Sequence, residues 1–129
     1  MEKTVFINMS NHPSTKWTEK QIKAAEKFLT HGEKNKIIDI QFPDINPNWN
    51  TAQVEDKAKE VFEKIKSIEG IEIVHTIVHI MGEMGFTYSL VRMCRNAFLA
   101  CVHSTTQRKV VEVYGKKVVE FEFVKFRHY

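Results

Sequence analysis

The run Ile71 to Met81, IEIVHTIVHIM, limits the fold of this chain more than any other stretch. It is long, apolar and rich in β-branched residues, which suits a central strand covered on both faces. Such a strand needs packing layers, and the rest of the sequence supplies them by alternating strands with helices. Thr4 to Met9 (TVFINM) reads as a first strand and Lys36 to Phe42 (KIIDIQF) as a second. Between them, Thr18 is an N-cap and Gln21 completes a weak capping box. Ile22, Ala25 and Leu29 then keep helical spacing until Gly32.

The loop FPDINPNWN leads into the clearest helix. Val54, Ala58, Val61, Ile65 and Ile68 form one apolar stripe, Glu and Lys fill the opposite face, and Gly70 ends the segment. After the central strand, Gly82-Glu83-Met84-Gly85 turns the chain into a third helix from about Phe86 to Asn96, and Phe98 to Val102 is a fourth strand. Val110 to Tyr114 and Lys117 to Phe126 are two further β runs, and the intervening Gly115-Lys116 suits a type II′ hairpin turn. This order predicts the α/β class: an open, mostly parallel sheet with right-handed crossovers, helices on both faces and a C-terminal β-hairpin. The expected strand order is 2-1-3-4 with the hairpin beyond.

With 129 residues, 43% of them apolar, the chain has material for one core, so residues 1–129 read as a single domain. MEKTVFINMS has only a short apolar run and does not resemble a signal peptide, and no window reaches membrane-spanning length. A cytoplasmic location without membrane contact is the expectation. Cys94 and Cys101 have no CxxC partner, which favours two buried, reduced thiols over a zinc or redox site. A net charge of +3 admits an anionic ligand, but there are no long basic runs of the kind a duplex-DNA binder carries.

In open α/β sheets, ligands bind beyond the carboxyl ends of the strands. That rule selects Asn8, Ser10, Asn11 and His12 after the first strand, Gly82 to Gly85 after the third, and Ser104, Thr105, Thr106 and Arg108 after the fourth. The two glycines allow close backbone approach, and the helix N-terminus after them suits a phosphate. Packing alone would equally require them, and Glu83 either bonds a ligand hydroxyl or base or favours the helix dipole. The SNHPS loop places one titratable group in the crevice, His12, either as a general base or as a turn cap. Arg108 and the neighbouring hydroxyls suit phosphate oxygens, unless they form an ST-turn beside a surface arginine. His75 and His79, on one face of the third strand, are too far apart for joint metal ligation and read as core or interface residues. Tyr88, Arg92 and Arg95 form a solvated or dimer-facing helix surface, while Trp17 and Trp49 read as core lids. No metal site, no serine–histidine–acid arrangement and no cofactor motif is legible.

FINMSNHPS, IIDIQFP, HIMGEMGFTYSLV and CVHSTTQRKVVE together resemble small CRISPR-associated Rossmann-type proteins, similar to the CARF-like ring nucleases of type III CRISPR systems. The resemblance runs from Val5 to Phe126 and implies a Rossmann-like fold and a homodimer. It also implies a cyclic oligoadenylate ligand, cyclic tetra-adenylate foremost, bound across the two-fold axis. The activity it implies is metal-independent: a ribose 2′-OH attacks the adjacent phosphate, which switches off antiviral signalling. His12 and Arg108 would then be catalytic. Asn8, Ser10, Asn11, Gly82, Glu83, Met84, Gly85, Ser104, Thr105 and Thr106 would bind the ligand. A sensor or sponge that holds the ring without cleaving it, or a small nucleotide or phosphate hydrolase, are the competing functions.

Overall fold

Alternation of apolar and polar side chains decides which face of each strand is buried, and a computed structural model shows how those faces are used over residues 4–29, 37–68 and 71–129. Strands Val5–Ser10 (β1), Ile37–Asp39 (β2), Thr76–Met81 (β3), Ala100–Val113 (β4) and Lys116–His128 (β5) form one sheet in the order β2-β1-β3-β4-β5. The first four pair in parallel and β5 returns antiparallel to β4, so the α/β class, the mostly parallel sheet and the C-terminal hairpin hold. The strand order is also the expected one.

Helices Glu19–Glu26 (α1), Thr51–Lys66 (α2) and Met84–Asn96 (α3) divide between the two faces. α2 and α3 cover Val5, Ile7, Met9, Val78 and Ile80 with Ala58, Val61, Ile65, Phe86, Leu90 and Cys94. On the other face, α1 brings Ala25 against Phe6 and Val102, with Trp17, Phe28 and Phe126 around them. Thr18 caps α1 by accepting from the Gln21 N–H, as its sequence suggests. A full Asn50–Gln53 capping box starts α2. Gly32 and Gly70, the expected helix ends, lie outside the described residues, as do His31 and Lys36.

Besides the shorter spans of β2, which ends at Asp39 rather than Phe42, and of α1, which ends at Glu26 before Leu29, three expectations need correction. The central strand is shorter than Ile71–Met81, because Ile73–His75 is a 3-10 turn closed by the Thr76 hydroxyl donating to the Glu72 carbonyl at 2.6 Å. His75 and His79 therefore do not share a strand face. Next, β4 does not stop at Val102. It runs on through Ser104–Arg108, which pair with β5 instead of forming a loop. Finally, the hairpin turn is Tyr114-Gly115, one residue earlier than expected. Both residues have positive φ, 52° and 76°, as a type I′ turn requires.

Candidate functional site

Parallel pairing puts one polar residue from each of three apolar strands into a single row. Asn8 on β1 has Asp39 of β2 as its partner on one side and His79 of β3 on the other. Neighbouring strands lie about 4.8 Å apart, so side chains in such a row fall within hydrogen-bond reach. Asn8 and His79 are both buried, His79 to 2% exposure.

The bonds follow that row. The Asn8 amide nitrogen donates to Asp39 Oδ1 at 2.9 Å and to the His12 carbonyl at 2.9 Å. Both partners only accept, which fixes the amide orientation and turns Asn8 Oδ1 toward His79 Nδ1, 2.8 Å away. Since Oδ1 cannot donate, Nδ1 carries the imidazole hydrogen and Nε2 is left as an acceptor. Ser104 Oγ lies 2.8 Å from Nε2 and supplies the matching hydrogen. The direction of every bond from Asp39 to Ser104 is therefore set by chemistry.

The surroundings shield the middle of this row, Asn8 and His79, from water. His79 sits among Phe6, Trp17 and Phe126, with ring centroids 6.3, 5.6 and 5.1 Å away. Burial, assisted by the charge of nearby His103, pushes its pKa down from 6.5 to about 4, so the ring is neutral near pH 7. Burial works to raise Asp39, but hydrogen bonds from the Ser14 hydroxyl (2.6 Å), the Asn8 amide and the Ser14 N–H (3.0 Å) outweigh it and hold the carboxyl below its usual range. The same bonds tie the His12–Lys16 loop to the sheet. Trp17 Nε1 adds a further bond to the His12 carbonyl at 3.2 Å.

Above this row opens a cleft of about 590 Å³ at the carboxyl ends of β1 and β3. Ser10, Asn11, His12, Gly82, Ser104 and Thr106 line it, as the sequence suggests. Lys16, Trp17, Gln21, His79 and Phe121 line it too, and sequence reasoning did not assign them to a site. Gln21 reaches Ser104 Oγ with its amide nitrogen at 3.4 Å. A β-bulge between Thr105 and Thr106 keeps Phe123 and Phe126, three residues apart, opposite Thr106 and Ser104 on the cleft side.

Other expected residues stand elsewhere. Thr105 bonds the backbone of Lys125 at 3.2 Å across the bulge. Arg108 is exposed on β4 opposite Phe121, one step along the same face from Thr106 and outside the cleft lining. The Glu83 carboxylate caps α3, accepting from the Phe86 N–H at 2.8 Å, so the helix N-terminus already holds an anion of its own. Met84 and Gly85 line separate surface depressions. A Cβ on Gly82 would come within 2.2 Å of the Phe42 ring, so this glycine is required by packing.

Among the described residues, no three His, Cys, Asp or Glu side chains converge as a metal site would need. No described helix is long and apolar enough to cross a membrane. Cys94 and Cys101 are free thiols buried against each other's elements. Residues 4–127 match the model of the uncharacterized protein MJ1673 family. No curated protein and no solved structure matches the chain.

Proposed function

We propose a function for a chain that belongs to the uncharacterized MJ1673 family: it binds a cyclic oligoadenylate, cyclic tetra-adenylate foremost, and cleaves it without a metal. The ring nuclease resemblance of the segments around Asn8–His12, Gly82–Gly85 and Ser104–Arg108 suggests the ligand. The observation that carries the reading is the cleft itself. At one end of a parallel sheet it offers an ammonium (Lys16), an imidazole (His12), an indole (Trp17) and hydroxyls (Ser10, Ser104, Thr106) within a single nucleotide-sized space. Cation, stacking surface and hydroxyls are what phosphate, base and ribose respectively require.

The reaction is in-line attack of a ribose 2′-OH on the neighbouring phosphate, giving linear products that end in a 2′,3′-cyclic phosphate. The chain supplies orientation and charge. Lys16, which faces the cleft, is better placed than Arg108 to meet the developing charge. His12 supplies proton transfer from the cleft mouth. Arg108, one step beyond Thr106, would reach only a ligand that extends along the hairpin.

A homodimer in the cytoplasm completes the reading. Met84, Tyr88 and Phe121 are large apolar side chains, 86, 68 and 68% exposed. Phe121 lines the cleft, and Met84 and Tyr88 share a neighbouring depression with the cleft residues Met81 and Gly82. A two-fold partner covering these residues would close the cleft over a two-fold ligand.

Incubating the purified protein with cyclic tetra-adenylate in chelator, with products followed by mass spectrometry, tests the proposal. Linear products with a cyclic phosphate end are expected. Tight binding of an unchanged ring would favour the sensor or sponge, and absence of binding to any cyclic oligoadenylate would remove the whole reading.

A further inference from the structure

The geometry points to Ser104 and His79 as the base that activates the attacking 2′-OH, an inference that rests on the ring-cleavage reading above. Ser104 Oγ is the one end of the hydrogen-bonded row that meets the cleft, and its hydrogen is committed to His79 Nε2 at 2.8 Å. Toward the ligand it can therefore only accept. Its other hydrogen-bond neighbour among the described residues, the Gln21 amide, stands at a long 3.4 Å, which leaves room for a shorter bond from a ligand donor. A ribose 2′-OH is such a donor; a phosphate oxygen is not.

The proton path balances. The 2′-O–H bond breaks and its proton passes to Ser104 Oγ, while the Ser104 hydrogen passes to His79 Nε2. The 2′-oxygen forms its bond to phosphorus and the P–O5′ bond breaks. The leaving 5′-oxygen takes a proton from His12 or from water in the open cleft. Later release of the His79 proton back through Ser104 restores the resting state. Asn8 serves as a positioning residue throughout. All four of its hydrogen-bond capacities are used, by Asp39, the His12 carbonyl, His79 and Ser10, so it holds the one tautomer in which Nε2 can accept.

A purely structural role would not call for this row. The ring of His79 is surrounded by aromatic side chains, where a phenylalanine would pack without any hydrogen-bond partners. Burying Asn8 and His79 is favourable only when their polar atoms are satisfied, and here that satisfaction ends on the half-buried Ser104 hydroxyl in a cleft.

The test uses the wild-type protein with Ser104→Ala, Ser104→Thr and His79→Phe. Cleavage of cyclic tetra-adenylate is followed together with binding of that ring and of its 2′-deoxy analogue. Ser104→Ala and His79→Phe are expected to slow cleavage by about 100-fold or more while the ring still binds. Ser104→Thr, which keeps the hydroxyl, should recover most of the rate. Wild type should bind the ring about five-fold more tightly than the deoxy analogue, and Ser104→Ala should bind the two equally. Cleavage by Ser104→Ala within three-fold of wild type, or unchanged discrimination against the deoxy ring, overturns the inference while leaving ring cleavage intact. A wild-type protein that neither binds nor cleaves the ring overturns both.

Discussion

The two faces of the sheet are built from the same strands but held by different means. On the α2–α3 face the inward residues of β1 and β3, Thr76 at the start of β3 excepted, are apolar: Val5, Ile7, Met9, Val78 and Ile80 meet two amphipathic helices. On the α1 face the same strands present Phe6, then Asn8, and Ile77, then His79, so apolar packing gives way to a polar row toward the carboxyl ends. One short helix and a loop cover that face, and the cleft opens where the covering stops. Two helices give a face that only packs, while thinner cover gives one that can meet a ligand.

The largest expected effect breaks this contrast from the packed side. Phe86 is fully buried and packs edge-on to Phe42 at a centroid distance of 5.1 Å. Phe86→Ala should lower unfolding stability by about 3–5 kcal/mol, because both the transfer of the ring and the cavity left behind count. Urea denaturation measures it. The polar row lies across the sheet, so ligand affinity of the folded fraction should not change. A loss of affinity larger than the loss of folded protein would show that the two faces are not independent.

How far this division could be read from the sequence differs between the faces. The stripe Val54-Ala58-Val61-Ile65 announces α2 because helical spacing is a local property. The polar row depends instead on register between strands 31 and 71 residues apart, which no local pattern encodes. Its trace is nonetheless present, since the polar residues within the three apolar runs include Asn8, Asp39 and His79. Ser104–Arg108 read as a loop because its composition is polar. It is polar because the outer half of the hairpin meets water rather than a helix, so no apolar alternation was needed to keep it a strand.

A second prediction probes the polar side by pH. His79 titrates at about 4 when folded against 6.5 as a free histidine, so between those values the unfolded chain binds the extra proton. Stability from this residue is fully present above pH 6.5 and is lost as pH falls toward 4, by about 3 kcal/mol in all. Asp39, with its pKa lowered from 3.8, acts only below that value and does not share the window. Urea midpoints measured from pH 7 to pH 4 should fall accordingly, and His79→Phe should flatten the decline. An equal slope in the variant would mean that His79 is charged in the native protein.

The smallest effect decides whether the glycine turn belongs with the packed face or with the cleft. Glu83 caps α3 through the Phe86 N–H, and Gly82 lies against Phe42, so two residues of the turn are committed to structure. Glu83→Ala should then cost about 1 kcal/mol through loss of the cap, visible as a lowered thermal midpoint. It would also free the helix N-terminus that a phosphate prefers. If the turn were a ligand cradle, the native carboxylate would repel a phosphate there, and its removal would tighten binding. A helix that only needs its cap should instead show lower stability with unchanged affinity for cyclic tetra-adenylate. That second pattern is expected, because the cations and hydroxyls of the cleft, Lys16, Ser10 and Ser104, lie on the α1 side, whereas the end of α3 opens on the other.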